Sequence, residues 1–434
     1  MYNQPVPASG RPILGLLACV LLGLCILISL PGAHAAESGG ATESAPAPDA
    51  NAETVEKDKD RDEDKKKAVK AYYKDGLHIA SEDGNFLAKI NWRLQLRLTD
   101  LESADLVGEE DGVEEESGFL IRRARFKLKG HAYRPWLGYY LEYGIAGNIL
   151  LTWQLDLAKW EKFSVRTGQF KVPYNRERVD SSGRLQFVDR SIVNNPFTVD
   201  RQQGISLLGH LFKGTRGDSK YAAGVYTGTG RGGDLDGDKR PMYVGRWQWN
   251  FLKRDLGYAQ SDIKMRPKPA ASLAVAGSSN VSQYTRFSSG GGGQLPGFEP
   301  GVIGQYKLEQ WMAEFAYQGR GLSIQSEFHR KRINDRVNLT ETDLEGFYGQ
   351  VGYFFHGLFD KFPRKLELAA RYARVKTVDG IEIPADREKS LVLNWFFHGH
   401  NNKLTMDYSQ LTNTLPGGSE DKGWRVRAQW DITF

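Results

Sequence analysis

From Phe86 onward the chain alternates between apolar and polar residues. Phe86, Ala88, Ile90, Trp92, Leu94, Leu96 and Leu98 are apolar, and Lys89, Asn91, Arg93, Gln95, Arg97 and Thr99 lie between them. Successive side chains of a strand point to opposite faces, so this segment reads as a strand with one greasy face and one polar, basic face. The last residues repeat the pattern: Trp424, Val426, Ala428, Trp430, Ile432 and Phe434 alternate with Arg425, Arg427, Gln429, Asp431 and Thr433. The same template fits near 86–99, 119–133, 136–147, 149–158, 162–170, 203–213, 219–229, 241–252, 270–279, 308–318, 320–331, 344–355, 364–377, 388–397, 402–411 and 423–434. It is weakest near 203, 219 and 270. An even number of such strands predicts an all-β fold, a transmembrane antiparallel up-and-down β-barrel of about 16 strands.

The connections carry a second signal. With the N-terminus on the periplasmic side, the connections after odd strands face outward and are expected to be long. Those at 100–118, 171–202, 230–240, 280–307, 332–343, 378–387 and 412–422 fit, and the one after Ile145 does not. Tyr133-Arg134-Pro135, Gly319 and 398–401 fit the tight turns expected at the other end, whereas 253–269 is too long. Trp136, Trp160, Trp311, Trp395 and Trp424 lie near predicted strand ends, where tryptophan prefers the membrane interface. A soluble sandwich would need a second layer over every apolar face, and no helical period supplies one.

The N-terminus changes the picture in one respect. Arg11, an apolar run over 13–30 and the small-x-small site Ala33-His34-Ala35 predict a secretory signal over 1–35. Both cysteines, Cys19 and Cys25, lie inside it, so the mature chain is expected to lack thiol chemistry and disulfides. Residues 36–75 hold alanine, serine and proline followed by mixed charge, and predict a disordered periplasmic arm, with a short helix over Val55–Tyr72 as the alternative. Residues 76–434 are expected to form the barrel. No later stretch approaches the roughly 20 apolar residues of a membrane helix.

A set of motifs then becomes specific. Gly168-Gln169-Phe170-Lys171-Val172-Pro173-Tyr174, Glu177-Arg178 and Phe187-Val188-Asp189-Arg190-Ser191 are followed by Arg201-x-x-Gly204, Gly245-Arg246-Trp247-x-Trp249-Asn250 and Glu367-Leu368-Ala369-Ala370-Arg371-Tyr372. Together they resemble the phosphate-selective porin O and P family over most of 75–434. The resemblance implies an outer-membrane, trimeric, 16-stranded anion pore, with phosphate and chloride as permeants and outer-membrane lipid and lipopolysaccharide as surroundings. The terminal Trp430-Asp431-Ile432-Thr433-Phe434 resembles the signal read by the outer-membrane assembly machinery.

The chemistry is expected on the polar faces. Arg123, Arg125, Lys127, Lys129 and His131 share one face of the second strand, spaced about 6.6 Å apart. Arg93 and Arg97 come from the strand before it, and barrel closure brings in Arg425 and Arg427. Such a basic ladder favours anions in a water-filled pore, and guanidinium groups fork onto phosphate oxygens. The alternative is ordinary lumen polarity, with the cations paired to Glu142 or Asp156. By the resemblance, the 171–202 loop is the constriction. It carries Lys171, Arg176, Arg178, Arg184, Arg190 and Arg201 against Glu177, Asp180, Asp189 and Asp200. These residues fit either an anion filter or an ion-pair network holding the loop to the wall. The family's phosphate-specific members add a lysine cluster near the constriction, and this loop offers only Lys171.

Other features are weaker. Glu109-Glu110-Asp111 and Glu114-Glu115-Glu116 read as a solvated run, with divalent-cation binding as the alternative. Asp234-Leu235-Asp236-Gly237-Asp238 starts like a calcium loop but has Gly245 where the closing glutamate belongs. His398-x-His400 has no third metal ligand in view, and Gly290–Gly293 reads as a flexible loop. A barrel enzyme would need a nucleophile and base, for which His329 and Ser323 are the nearest candidates. The expectation is therefore a passive anion channel, not an enzyme, with no cofactor, metal or nucleic-acid partner. A general or organic-anion porin without phosphate specificity is its main rival.

Overall fold

The computed structural model describes residues 69–102, 116–235, 240–383, 385–414 and 418–434. The signal and most of the arm lie outside them, as do most of the acidic run and the core of the Asp234–Asp238 motif. The first described segment departs from expectation. Val69–Tyr73, at the end of the segment read as disordered or helical, is a strand, β1, paired antiparallel with β2 (Leu77–Ser81). The turn between them uses Asp75 and Gly76 at positive φ, and a Cβ at Gly76 would meet Asn91 Nδ2 at 2.3 Å. β2 pairs in turn with the start of β3 (Leu87–Leu101). That local turn chemistry overrides a charged, helix-like composition.

Sixteen strands then close into one antiparallel barrel. After β3 come β4 (Gly118–His131), β5 (Leu137–Gly144), β6 (Ile149–Trp160), β7 (Phe163–Lys171), β8 (Arg201–Leu211), β9 (Ser219–Tyr226), β10 (Met242–Trp249) and β11 (Ala270–Ser282). A short hairpin of β12 (Arg286–Ser288) and β13 (Gly291–Gly293) interrupts the order. β14 (Tyr306–Gly319), β15 (Leu322–Asp335), β16 (Thr340–Tyr353), β17 (Leu366–Asp379), β18 (Ala385–His398), β19 (Asn402–Thr414) and β20 (Glu420–Thr433) complete the wall. β20 pairs with β3 from Arg425↔Leu101 to Thr433↔Arg93, and Phe434 is tied at both backbone groups to Trp92. Each predicted strand has its counterpart, including the three weak ones.

The differences lie at the strand ends. β15 and β16 run on to Asp335 and Thr340, so their connection is four residues, 336–339, and not a long loop. Polar residues on the outward face explain the misreading. Arg332 binds Asp343 across the two strands with two bonds of 3.0 Å, so the ladder continues where the hydropathy alternation has stopped. The long 250–269 connection folds inward: Gln260 accepts from the Gln186 amide (2.8 Å), and Ser261 donates to Glu367 (2.8 Å).

Outward residues such as Trp92, Trp153, Trp247, Trp311 and Leu391 are exposed, as a lipid-facing surface requires. The interior is filled chiefly by residues 172–200, which carry two one-turn helices, α1 (Arg176–Val179) and α2 (Asn194–Phe197). Val193 and Phe197 pack with Phe287, Leu308, Ile333, Leu344 and Val375. Val172, Tyr174 and Val199 pack with Tyr226, Met242, Val244 and Met312. The loop therefore seals itself onto the β9–β17 side with apolar surface. The Gly290–Gly293 run supplies β13, and Gly292 packs so tightly that a Cβ there would meet the Tyr284 ring at 2.2 Å.

Candidate functional site

The opposite wall is basic. Register sets Arg93 across from Arg125, Asn91 across from Lys127 and Lys89 across from Lys129, while Arg97 faces Gln429 of β20 and Thr99 faces Arg427. The pairing skips Arg122 between Gln95 and Leu96, and this keeps Arg123, Arg125, Lys127 and Lys129 on one face below the irregularity. The eight predicted wall cations thus share the inward face of three adjacent strands. Their exposure rises along β4. Arg123 and Arg125 are buried against the inserted loop, Lys127 is 18% exposed at its side chain, and Lys129 is open.

Carboxylates meet most of the buried part. Asp189 of the loop takes ion pairs from Arg97 and from Arg123 (3.0 Å), with Arg427 at 3.7 Å. Arg427 is also held by Asp407 at 2.9 and 2.7 Å, and Arg97 donates to Gln429. Glu142 takes Arg125 (2.8 Å) and Arg201 (3.0 Å), with Lys127 at 3.9 Å. Arg93 instead donates to two loop hydroxyls, Ser181 (3.0 Å) and Ser182 (2.7 Å). Hydroxyl partners leave a guanidinium its full charge. Arg93, Arg125 and Arg184 all act electrostatically on Lys127, so the wall charge and the loop's one exposed cation share a region.

The six loop cations divide sharply. Lys171 donates to the Asp180 carbonyl (2.6 Å). Arg176 donates to Gln325 (2.9 Å), and Arg178 forks onto Asp200 (2.7 and 2.6 Å). Arg190 donates to the carbonyls of Glu177 (2.9 Å) and Asp180 (3.0 Å), and Arg201 reaches Glu142. These five hold the loop's own shape or dock it. Arg184 is different: its side chain is 47% exposed beside Asp180 (2.8 Å).

Several clamps escaped the sequence reading. Lys403 of β19 donates to the Leu185 carbonyl (2.6 Å), and Lys331 of β15 donates to the carbonyls of Pro196 (2.9 Å) and Thr285 (2.5 Å). Arg371 holds the Asp189 carbonyl (3.0 Å) and Glu388 (2.5 Å), and lies 4.3 Å over the Phe187 ring. Arg246 pairs with Glu314, which also accepts from the Arg176 amide (3.1 Å). Lys403 and Lys331 each sit at an inward position of a strand, and that parity was the one available signal. Wall glycines complete the seat. A Cβ at Gly346 would meet Phe197 at 2.4 Å, and one at Gly352 would meet Gln186 at 1.9 Å.

Inside the loop, Glu177 accepts from the Ser191 amide (2.7 Å) and hydroxyl (2.9 Å), with Arg371 at 3.9 Å. Burial, reinforced by neighbouring Glu327, pushes its carboxyl up to about 7 against those stabilising contacts. Glu327 also anchors the Asn175 side chain (3.0 Å) and the Glu177 amide (2.7 Å), and His329 binds it at 3.0 Å. Ser323 is engaged elsewhere, with Gln186 and the Gly352 carbonyl, so it is not joined to His329 as a nucleophile–base pair. His400 is half-buried, edge-on to Phe396.

Comparison with known proteins agrees with this architecture. A search of curated proteins finds no match. Among solved structures, the loop L8 deletion mutant of OmpT, an outer membrane protein of Vibrio cholerae, aligns with a TM-score of 0.53 at 9% identity, covering 81% of this chain and 100% of that one. An anion-selective porin from Comamonas acidovorans gives 0.52 at 13% identity, covering 80% and 100%. The outer membrane channel DcaP of Acinetobacter baumannii gives 0.52 at 11% identity, covering 82% and 99%. At such identities the likeness concerns the fold. The family described as phosphate-selective porin O and P matches residues 89–432, nearly the whole barrel, and on that match the chain belongs to this family, a β-barrel porin channel of the bacterial outer membrane.

Proposed function

We propose that this porin is an anion-selective diffusion channel, open to phosphate and similar anions. The path runs beside the basic wall of β3, β4 and β20, under the edge of the inserted loop at Arg184, and out along Lys127 and Lys129. The observation that carries the reading is the asymmetry of the lumen. The loop covers one side with apolar packing, and the polar side opposite holds more cations than carboxylates. A polar lumen lined this way lowers the barrier for anions and raises it for cations. Permeation without capture is favoured over tight phosphate binding, because five of the six loop cations are committed to the loop's own architecture. The homotrimer belongs to the same proposal. Its support is an outward depression at Ala223, Gly245 and Gly277, flanked by Ile205 and Tyr243, where small side chains let another barrel approach closely. Recognition of exposed Phe434 by the assembly machinery is also part of it.

An ion-substitution series on single channels tests the reading. Conductance is recorded in potassium salts of chloride, phosphate and gluconate, then in chloride salts of potassium, lithium and Tris. The proposal expects conductance to follow the anion, with phosphate passing and only weakly blocking chloride. Conductance that follows the cation overturns it. Strong block by submillimolar phosphate replaces open permeation with a phosphate-capturing pore.

A further inference from the structure

The outward face of the barrel carries a charge cluster that the pore does not use. In the β17–β18 pairing Arg374 lies directly opposite Arg387, and Lys389 lies opposite Tyr372. Arg374 and Lys389 are exposed on the face that also presents Tyr372 and Leu391, whereas Arg371 and Glu388 occupy the other face and point inward. Lys376 stands two residues above Arg374 on the same side, paired with Glu345 at 3.2 Å. Arg387 pairs with Glu420, which Lys422 also binds at 2.9 Å. Among the described residues, no carboxylate lies within ion-pair distance of Arg374 or Lys389.

Two features of this cluster need explaining. Like charges directly opposite one another on neighbouring strands destabilise a sheet, and Glu420 offsets only the Arg387 side of the Arg374–Arg387 pair, so a second anion beside Arg374 would relieve it. The cluster also faces away from the pore. It sits in the upper part of strands whose long connections face outward, just above a row of interfacial tyrosines. Tyr372 lies two residues below Arg374, about 6.6 Å along the strand, and Tyr408 faces outward opposite Leu391. Tyrosine at that level marks the membrane–water boundary. Cations immediately above it lie at the depth of lipid headgroups.

We propose that the outward face of β17 and β18 binds the phosphorylated headgroup of a glycolipid in the outer leaflet. Arg374 forks onto one phosphate, Arg387 approaches it from the adjacent strand while keeping Glu420, Lys389 and Lys376 flank it, and the acyl chains run down past Tyr372 and Leu391. Guanidinium groups suit this task because their paired N–H donors match two phosphate oxygens. The site is independent of which ions the lumen passes.

The test uses full-length processed protein purified in detergent, titrated with bis-phosphorylated lipid A and followed by native mass spectrometry. Dephosphorylated lipid A, phosphatidylglycerol and inorganic phosphate serve as comparison probes. The variant is the double substitution Arg374→Gln, Arg387→Gln, and unheated gel mobility confirms that its barrel is folded. The single substitution Lys389→Gln provides a second reading if the double variant does not fold. The proposal expects the wild type to bind bis-phosphorylated lipid A at least tenfold more tightly than the dephosphorylated form. The double variant loses that preference and Lys389→Gln weakens it by a few fold. Equal binding by wild type and variants overturns it. So does equal affinity for phosphatidylglycerol, which would mean a general attraction for acidic lipid. Displacement by millimolar inorganic phosphate would assign the cluster to a free ion instead. A disulfide formed between copies through Lys389→Cys would assign the face to a second subunit.

Discussion

Asp189→Asn removes the carboxylate on which the wall and the loop converge. In the native protein this carboxylate meets Arg97, Arg123 and, more distantly, Arg427, and all four residues are buried. Arg427 keeps Asp407, Arg97 keeps its bond to Gln429 and Arg123 its bond to Gln95, both glutamines neutral. Removing one partner of a buried ion pair costs about 3–5 kcal/mol, because the remaining charge stays desolvated without compensation. Three other clamps survive: Arg371 on the Asp189 carbonyl, Lys403 on the Leu185 carbonyl and Lys331 on the Pro196 carbonyl. Each charged hydrogen bond contributes roughly 1.5–3 kcal/mol net. The cost should therefore raise the population in which the Leu185–Arg190 stretch opens against its two remaining clamps, Lys403 and Arg371, and leave the rest of the loop attached. At 1.4 kcal/mol per tenfold, the released population rises roughly a hundredfold to several thousandfold. Single-channel recording reads this directly: the variant should show new, larger and flickering conductance levels. Its anion preference should also strengthen, because one negative charge has left the lumen. The double variant Asp189→Asn, Arg123→Gln should recover much of the quiet native level. A single variant with native conductance, native noise and unchanged selectivity would refute the account of Asp189 as the hub.

Three further outcomes follow from the same geometry. Lys127→Glu combined with Lys129→Glu reverses charge where the wall opens, and the zero-current potential in a KCl gradient should move toward the potassium side while unheated gel mobility stays native. Gly346→Leu places a side chain where Phe197 packs, so the α2 segment should be pushed off the wall, with higher conductance and new protease cleavage within 192–199. Loop docking should also weaken as pH rises. The Glu177 carboxyl is raised from 4.5 to about 7 in the folded state, so its protonated form stabilises docking fully below pH 4.5, and this contribution is lost as pH climbs through 7. Channel noise should be lowest near pH 5 and increase toward pH 8, and Glu177→Gln should flatten that dependence. A native pH profile in Glu177→Gln would rule this carboxyl out.

The barrel wall was legible in the sequence because a strand repeats every two residues and lipid demands apolar side chains on one of its faces. That logic alone places Arg93, Arg123 and Arg125 on the inward face. It failed where the constraint is absent. The tops of β15 and β16 are polar on their outward face, with Arg332 and Asp343, and carry Ile333 and Leu344 inward, so the alternation changes phase while the hydrogen-bond ladder goes on. The loop could be recognised as rich in Arg–carboxylate pairs, but not sorted. Arg178 and Arg184 look alike in sequence, yet one forks onto buried Asp200 and the other is half exposed. Partners such as Asp189 with Arg97 or Lys403 with Leu185 are far apart in the chain, and only closure of the barrel brings them together. The Val69–Tyr73 strand was hidden by its charged neighbours, and it forms because the Asp75-Gly76 turn allows it.

The central claim is that the lumen's uncompensated positive charge makes this porin choose anions. The direct measurement is the zero-current potential of the purified protein in a planar bilayer separating two KCl concentrations. The account predicts a potential on the chloride side, and a potential on the potassium side would contradict it.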